Sequence, residues 1–326
     1  MDTGAYERGG KARTRDAIDK EVLTKPFLIV LSFSCLHDLA LLAGLDEVGV
    51  SKAAPVTDGQ EKYLEWLARG YHGEMSYLER NFEKRFDPTL LVPGAKSIIS
   101  ALLSYKLEGK GVWSSAPKVS RYAVLRDYHF ILKERLYRLL ELLREACGTV
   151  SGRAFVDSAP FLDRYWAMRS GLGWIGQHSL LISPRLGSFV FIGSLVVDID
   201  IETTEQPVRN RCGNCNHCVA ACPTGALLGK GLVDARKCIS YLTIEKKSEL
   251  TAEEEASLSG WAYGCDCCQE ACPWNLRAPE TQLTNEVIIS RTVLENFASG
   301  KEPLPPESPM TRANPERLRF LLSKSG

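Results

Sequence analysis

Closely spaced cysteines in the second half of the chain are the residues best suited to chemistry. The first group, "CGNCNHCVAACP", reads C-x2-C-x2-C-x3-C-P, with cysteines at 212, 215, 218 and 222. In such a run three thiolates surround one [4Fe–4S] cube, and the fourth ligates a neighbouring cube. The run therefore predicts a second cluster elsewhere in the chain.

A second group of cysteines supplies the remaining ligands. Cys238 stands alone in "ARKCISYL", and "YGCDCCQEACPWN" adds three ligands, Cys265, Cys268 and Cys272, before Pro273. By the exchange rule, the first cluster takes Cys212, Cys215, Cys218 and Cys272. The second cluster takes Cys222, Cys238, Cys265 and Cys268.

Three cysteines remain outside these sets. Cys267 could replace Cys268 as a ligand, but only Cys265 and Cys268 keep the two-residue gap, so Cys267 is interpreted as a spare. Cys35 and Cys147 lie in apolar helical surroundings, where a thiol acts as a small hydrophobe. Paired C-x2-C motifs also occur in zinc sites and disulfide frameworks. The duplicated run, with proline after the last cysteine, favours clusters instead.

A cluster relay breaks no bonds by itself, so the preceding residues must hold a second redox centre or the substrate. Asp157, in "RAFVDSAP", is a candidate acid because it follows a predicted strand and precedes a helix that Pro160 would open. Taken alone, the pattern favours a helix N-cap, where the ionised carboxylate is stabilised. Proton donation would require apolar neighbours, such as Phe155 and Phe161, to raise its pKa.

Basic and aromatic residues alternate in "KVSRYAVLRDYHFILKERLYR". This combination suits phosphate contacts and base stacking, and a solvated helix face with ordinary ion pairs is the equal alternative. The five histidines are scattered singly and predict no metal site.

Composition limits the class of protein and its location. The 326 residues contain 40 Lys plus Arg and 40 Asp plus Glu, so a nucleic-acid partner would have to bind a local patch. Unbridged cysteines and oxygen-sensitive clusters predict a cytoplasmic protein. The apolar stretch "KPFLIVLSFSCLHDLALLAGL" is interrupted by His37 and Asp38 and is too short to span a membrane.

The elements that position these residues show no regular β-α-β order. "DEVGVS" and "AKSIISALLSY" predict strands, the second of them central, and "DYHFILKERLYRLLELLREACG" predicts a helix that ends at Gly148. Gly70 and Gly73 divide an earlier helical stretch in two. "RAFV" predicts a short strand, and "HSLLISPRLGSFVFIGSLVVDIDIE" two or three more. An α+β sheet domain is therefore expected, rather than a doubly wound one.

"GLGWIG", residues 171–176, matches the G-x-G-x-x-G pattern of dinucleotide-binding proteins. That fingerprint requires a strand before it and a helix after it. Here the periodicities predict the opposite order. Nicotinamide binding at this point is disfavoured.

Taken together, the motifs resemble the epoxyqueuosine reductases, cobalamin-dependent iron–sulfur enzymes of tRNA modification that are related to reductive dehalogenases. The segments that carry the resemblance are "EWLARGYHGEMSYLERNFEKRFDPTLLVPGAKSII", "RYAVLRDYH", "VDSAPFLDRYWAMRSGLGWIG", "CISYLT" and "YGCDCCQEACPWN". The resemblance implies a cobalamin-binding domain over residues 27–205 and a ferredoxin-like domain with two [4Fe–4S] clusters over 206–280. Residues 1–26 would be a tail and 281–326 a C-terminal extension.

The resemblance also implies an activity and its residues. The reaction would reduce the epoxide of epoxyqueuosine to queuosine at the wobble position of the tRNAs for Tyr, His, Asn and Asp. Asp157 would be the proton donor beside the corrin, which overturns the N-cap interpretation. The expected cofactor or tRNA contacts are Arg121, Tyr122, Arg126, His129 and Ser240. The D-x-H-x-x-G box is missing its glycine, at Leu132, so no histidine ligand to cobalt is expected.

Two departures from the family pattern and two alternatives stay open. Gln177 stands where the family's lysine is expected, and too few residues follow Asn275 for the helical-repeat domain of longer members. The alternatives are a dehalogenase-like corrin enzyme and a ferredoxin-like electron carrier. A flavodoxin or ferredoxin type of electron donor and a monomeric state are expected.

Overall fold

The computed structural model describes residues 30–109, 111–206 and 208–324, so the predicted tail, 1–26, lies outside the described residues. Its centre is a four-stranded sheet made of β1 (Glu47–Lys52), β2 (Ser97–Ser104), β4 (Gly152–Phe155) and β7 (Val190–Val197). The strands lie in the order β1-β2-β7-β4, and every pairing is antiparallel. β2 is buried along its whole length, because it lies between β1 and β7. The predicted central strand is confirmed.

Helices cover this sheet. They are α1 (Phe33–Leu42), α4 (Tyr128–Cys147) and α5 (Asp163–Arg169), with α2 (Gln60–Ala68) and α3 (Phe82–Phe86) further out. α4 begins after Asp127, whose carboxylate accepts the backbone N–H of His129, and ends at Gly148 with φ +83°. Its leucines at three- and four-residue spacing are buried, as the pattern predicted.

Two predicted helices differ from the structure. After Gly73 the chain forms a short 3₁₀ helix (Ser76–Leu78) and then α3, not one continuous helix. The helix expected from Pro160 begins at Asp163. The residues before it form a turn because the Phe161 ring stacks on Phe155, with centroids 4.9 Å apart.

The second half of the chain is built from short elements around the cysteines. They are α6 (His217–Ala220), β8 (Leu227–Gly229), β9 (Leu232–Val233), a π-helix (Tyr241–Glu245), α7 (Ala252–Ser257), β10 (Trp261–Tyr263), α8 (Cys267–Glu270) and α9 (Pro273–Arg277). The remaining strands of the first half are β3 (Lys118–Val119), β5 (Trp174–Ile175) and β6 (Leu181–Ile182). "GLGWIG" lies between α5 and β6, so a helix precedes it and strands accompany it, as predicted.

Both halves share one core. β3 pairs in parallel with β10, and the largest buried cluster contains residues from Leu31 to Leu322. Gly264, with φ +65°, lies so close to Ser120 that a Cβ atom would come within 2.6 Å of its hydroxyl. Only glycine permits this approach. The α+β class is confirmed, whereas the domain limits at 205 and 280 stay predictions.

The last described segment packs against the π-helix and the residues that follow it. It contains α10 (Arg291–Ala298), a 3₁₀ helix (Pro309–Arg312) and α11 (Pro315–Ser323). Arg317 is buried and donates to the carbonyl oxygens of Leu242 and Ser248, at 3.3 and 2.6 Å. These bonds fix the end of the π-helix. None of the described helices is long and apolar enough to cross a membrane.

Candidate active site and cysteine cluster

The thiols predicted for the first cluster face one another. Cys218 lies in α6, and Cys272 is the N-cap residue of α9. Burial raises the pKa of the Cys272 thiol, and the thiols of Cys212 and Cys215 raise it further. Burial likewise raises the pKa of Cys218, with Cys272 as the next cause. The fold thus brings Cys272 to the first run, as the exchange rule requires.

The thiols predicted for the second cluster also meet. Burial first, and then the Cys222 thiol, raises the pKa of Cys238. Burial raises the pKa of Cys268 well above its usual value, and the neighbouring Cys238 and Cys222 thiols add to this shift. Cys265 interacts with Cys268 as well. The four side chains come from three separate segments of the chain, at 222, 238 and 265–268.

Cys267 is oriented differently from Cys268. A hydrogen bond from Cys265 lowers the pKa of the Cys267 thiol to about 6, and its other neighbours include Trp261. Its interactions are therefore with Cys265 rather than with the second set as a whole. That it is a spare stays a prediction.

The donor chemistry of both sets fits iron–sulfur clusters. All eight donors are thiols without disulfides, and the indole N–H of Trp174 donates to Sγ of Cys212 at 3.4 Å. Hydrogen bonds to the ligating sulfurs are among the features that tune such clusters. Among the described residues, no group of three or more His, Cys, Asp or Glu side chains is arranged to hold a single metal ion. In a [4Fe–4S] cube each thiolate binds a different iron, so the two thiol sets need not converge on one point.

Asp157 lies on the exposed loop after β4. Its φ of +54° is in the left-handed region, which aspartate tolerates better than most residues. The Tyr128 hydroxyl donates to its Oδ2 at 2.6 Å. The Tyr128 ring is stacked on Phe191, with centroids 4.8 Å apart and planes 11° apart. One carboxylate oxygen is therefore held in place, while Oδ1 is left for another partner.

Three more ionisable groups interact electrostatically with Asp157. Desolvation raises the pKa of Tyr77 to about 12, with Glu245 and Asp157 as further causes, although its side chain is 47% exposed. The pKa of Glu245, at the end of the π-helix, is raised by desolvation and then by Asp157. These groups come from separate segments of the chain. Only the fold brings them to the loop of Asp157.

Asp163 is the third of these groups. Burial, and then the charge of Asp157, raises its pKa to about 8. Its Oδ1 is buried without a hydrogen-bond partner. Near neutral pH this carboxyl therefore keeps its proton for most of the time. Sequence reasoning missed it, although it stands only six residues after Asp157.

Arg312 brings the C-terminal segment to the same site. Its guanidinium lies over the Tyr128 ring, 5.5 Å from the centroid, and 4.0 Å from Oδ2 of Asp127. Its positive charge also partly offsets the upward shift in the pKa of Glu245 that desolvation and Asp157 cause. No motif identifies this arginine in the sequence, which predicts only a C-terminal extension over 281–326.

Two predicted cofactor contacts lie between the halves of the chain. Arg121 pairs with Asp266 at 3.1 Å and with Glu270 at 2.7 Å, so it ties β3 to the cysteine region. Tyr122 packs edge-on against Tyr128, at 6.1 Å, and burial raises its pKa well above the usual value. Their predicted contact with a corrin stays a prediction.

The other predicted contacts are engaged by neighbouring groups. Arg126 bonds both carboxylate oxygens of Glu134, at 2.8 and 2.7 Å, and also pairs with Glu286. The ring of His129 lies 2.7 Å from Asp127. Ser240 caps the π-helix, and a π-turn is frequent at functional sites. Arg121 and Arg126 are thus ion-paired within the described residues, and the contact of the basic stretch with a cofactor or with tRNA stays a prediction.

The acceptors around Asp157 fit a ligand that carries amide N–H groups at its rim, as cobalamin does. The unpartnered Oδ1 of Asp163 and the carboxylate of Glu245 could accept such groups. The "RGYHGEMSYL" segment is fixed beside them, because Glu74 donates its N–H to the Tyr241 hydroxyl at 2.8 Å. Gln177 lies elsewhere, with its side-chain oxygen accepting the N–H of Lys230.

Comparison with known proteins identifies the relatives of this chain. Residues 85–158 match the family model "Epoxyqueuosine reductase QueG, DUF1730", and 211–275 match "4Fe-4S double cluster binding domain". A curated epoxyqueuosine reductase from Cellulophaga algicola is 47% identical, over 72% of this chain and 76% of the relative. That of Escherichia coli is 42% identical, over 74% of this chain and 64% of the relative.

A solved structure agrees with these relatives. An epoxyqueuosine reductase from Bacillus subtilis, solved with its catalytic aspartate loop swung out of the active site, superposes with a TM-score of 0.76 at 26% identity. The match covers 88% of this chain and 78% of that structure.

Proposed function

This chain belongs to the epoxyqueuosine reductase family, and we propose that it removes the epoxide oxygen of epoxyqueuosine at the wobble position of the tRNAs for Tyr, His, Asn and Asp. Two electrons and two protons convert the epoxide to an alkene and release the oxygen as water. A related epoxyqueuosine reductase has been crystallised with an epoxyqueuosine-modified tRNA-Tyr stem loop, at 28% identity and a TM-score of 0.67. This supports tRNA as the substrate.

In this proposal Asp157 is the proton donor. Its exposed position allows a tRNA nucleotide to reach it, and the Tyr128 hydroxyl occupies Oδ2, so Oδ1 is the atom that carries the proton. The same hydrogen bond, together with the stacking of Tyr128 on Phe191, orients the carboxyl group. The Bacillus subtilis relative, whose catalytic aspartate loop is swung out of its active site, supports a catalytic role for the loop of Asp157.

The two thiol sets would hold two [4Fe–4S] clusters, which supply electrons one at a time at low potential. Cobalamin, when bound, supplies a Co(I) centre that is reducing enough to open the strained ring. The acceptors of Asp163 and Glu245 would hold its amide rim, with Arg121, Tyr122, Arg126, His129 and Ser240 as the contacts expected from the family. We also propose a monomeric cytoplasmic protein that receives electrons from a flavodoxin or ferredoxin type of donor.

The observation that carries the proposal is the short path from the thiols to the acid. Cys238 precedes the π-helix, and Glu245 at the end of that helix interacts electrostatically with Asp157. Tyr263 precedes Cys265 by two residues and packs against Tyr122, which in turn packs against Tyr128. A protein that only carried electrons would need no carboxylic acid near its second thiol set.

The test is a reaction with modified tRNA. The protein is purified without oxygen, supplied with cobalamin, reduced with dithionite and incubated with tRNA that carries epoxyqueuosine. We expect the nucleoside to lose the mass of one oxygen atom. The control is the same protein without cobalamin. Full iron content without cobalamin uptake or oxygen loss would overturn the proposal in favour of an electron carrier.

A further inference from the structure

We propose that the surface around Leu276 is the docking site for a small, acidic one-electron carrier protein, so that electrons enter the chain beside Cys212 and Cys272. This surface comprises Arg209, Arg211, Trp274, Leu276 and Arg277. The inference rests on the proposed function, since it assumes that the first thiol set holds a cluster. It extends that function in two respects: the electron donor binds beside the first thiol set, and the donor carries a negative surface charge.

The centre of the surface is apolar. Leu276 is 78% exposed, the highest value among the large apolar side chains that the structure describes as exposed. It lies in α9, one helical turn after Cys272. An isolated exposed leucine is ordinary. Its position one helical turn after a predicted cluster ligand, next to Arg277 and two residues from Trp274, on which Arg211 lies, is what makes it a candidate contact.

The rim of the surface is positively charged. The segments 206–231 and 271–279 contain no Asp or Glu, although the whole chain has equal numbers of acidic and basic residues. Arg209, Arg211 and Arg277 are exposed, and none of them forms an ion pair with another described residue. Arg121 and Arg126, by contrast, form ion pairs with carboxylates. A partner of negative surface charge is therefore favoured here.

A single layer of tryptophan separates this rim from the first thiol set. The guanidinium of Arg211 lies over both Trp174 and Trp274, 5.9 and 5.8 Å from the ring centroids. The two indoles meet edge to face at 4.8 Å. Trp174 also donates its N–H to Sγ of Cys212. A protein bound at Leu276 would thus be within a short distance of the Cys212 thiol.

The opposite end of the cysteine region leads to the acid. Two cysteines of the second set are close in sequence to residues of the acid site. Cys238 precedes the π-helix that ends at Glu245, which interacts with Asp157. Cys265 follows Tyr263, which packs against Tyr122. Electrons entering at the first set would therefore leave from the second. Each encounter oxidises the carrier by one electron and reduces the chain by one, so two encounters supply one epoxide.

The test measures binding of an acidic flavodoxin to the anaerobically prepared holoprotein. Arg277→Glu reverses one rim charge without touching a thiol, and we expect it to weaken binding by at least about tenfold at low salt. Leu276→Gln is the second variant and should also weaken binding, but without changing its salt dependence. Lys301→Glu, the same charge change at an exposed site on the turn after α10, is the matched control and should bind like the unaltered protein.

Two further measurements separate docking from other effects. Iron content per chain and reduction by dithionite, which needs no docking site, should be equal in all four proteins. Equal flavodoxin affinity in Arg277→Glu and Lys301→Glu, or an affinity that salt does not change, would overturn the docking surface. Failure of the dithionite-reduced protein to remove the epoxide oxygen would instead overturn the proposed function and leave the binding result standing.

Discussion

The cysteine region and the acid site are assembled in opposite ways. Seven of the eight predicted ligands belong to two runs in which the spacing of neighbours along the chain already indicates the chemistry. The groups around Asp157 come instead from the 3₁₀ helix at Tyr77, the start of α4, the start of α5, the π-helix and the C-terminal segment. No two of these segments are neighbours in sequence, and only α5 lies close in sequence to the loop of Asp157.

The difference shows which kinds of site a single sequence can reveal. A cluster needs several identical soft ligands within a short loop, so its pattern is local and rarely arises for another reason. A proton donor needs only one carboxyl group, and its properties depend on burial and on charges brought near by the fold. Asp157 could therefore be named from the family motif, while its partners could not.

The largest effect is expected where the local pattern is broken. Cys268→Ser should reduce iron from about eight atoms per chain to about four and abolish epoxide reduction, because it removes a predicted ligand of the second cluster. Cys267→Ser is the matched control, one residue away, and should keep both iron and activity. The measurements are iron content and mass spectrometry of the nucleoside. If Cys267→Ser loses the iron and Cys268→Ser does not, the assignment from spacing is wrong.

A smaller but still large effect is expected from the acid itself. Asp157→Asn should lower the rate of epoxide reduction by about 10²- to 10⁴-fold, the usual contribution of a general acid. The amide can still accept the Tyr128 hydroxyl, so the loop should stay in place. Iron content and cobalamin absorbance are the controls and should not change. A variant that turns over at the normal rate would remove Asp157 from the acid role.

The partner of Asp157 tests whether the assembled site matters beyond its central residue. Tyr128→Phe keeps the ring stacked on Phe191 but removes the 2.6 Å hydrogen bond to Asp157. When Asp157 carries the proton its carboxyl group is neutral, and a hydrogen bond between neutral groups contributes about 0.5–1.5 kcal/mol, so a loss of up to roughly tenfold in kcat is expected. Tyr137→Phe, on the exposed side of the same helix, is the control. Equal activity of both variants would mean that Asp157 needs no positioning by Tyr128.

The same contrast explains how much of the fold could be predicted. β2, the long helix α4 and the α+β class follow from periodicity, because each of these elements buries a continuous apolar face. The start of α5 could not be predicted, since the stacking of Phe161 on Phe155 delays it beyond Pro160. Arg312 was missed because its contacts with Tyr128 and Asp127 join residues that are far apart in sequence.

The basic stretch shows a second limit of reading motifs in a single sequence. Arg121 and Arg126 stand in family motifs, and the structure pairs both with carboxylates of the second half of the chain. Their guanidinium groups therefore form ion pairs that connect the two halves of the chain. A motif can therefore single out a residue without indicating which partners it has in the fold.

The last prediction concerns stability rather than activity: the burial of Asp163 makes the free energy of unfolding depend on pH. Its pKa is about 8 in the folded protein, compared with 3.8 for an unperturbed aspartate. Between these values the folded state binds one proton more than the unfolded state. The free energy of unfolding therefore falls as pH rises through this window, by up to about 1.4 kcal/mol per pH unit for one group. The slope disappears above the folded-state pKa.

Asp163→Asn removes this titration, because asparagine carries no proton to lose. The difference in stability between the variant and the unaltered protein should therefore shift in favour of the variant as pH is raised from about 5 to about 8. Urea unfolding midpoints of the holoprotein, measured without oxygen at several pH values, provide the comparison. Asp58→Asn, at an exposed position, is the control and should show no such shift. If Asp163→Asn parallels the unaltered protein at every pH, then Asp163 is charged in the folded state. The carboxyl groups around Asp157 would in that case be less strongly coupled than the geometry indicates.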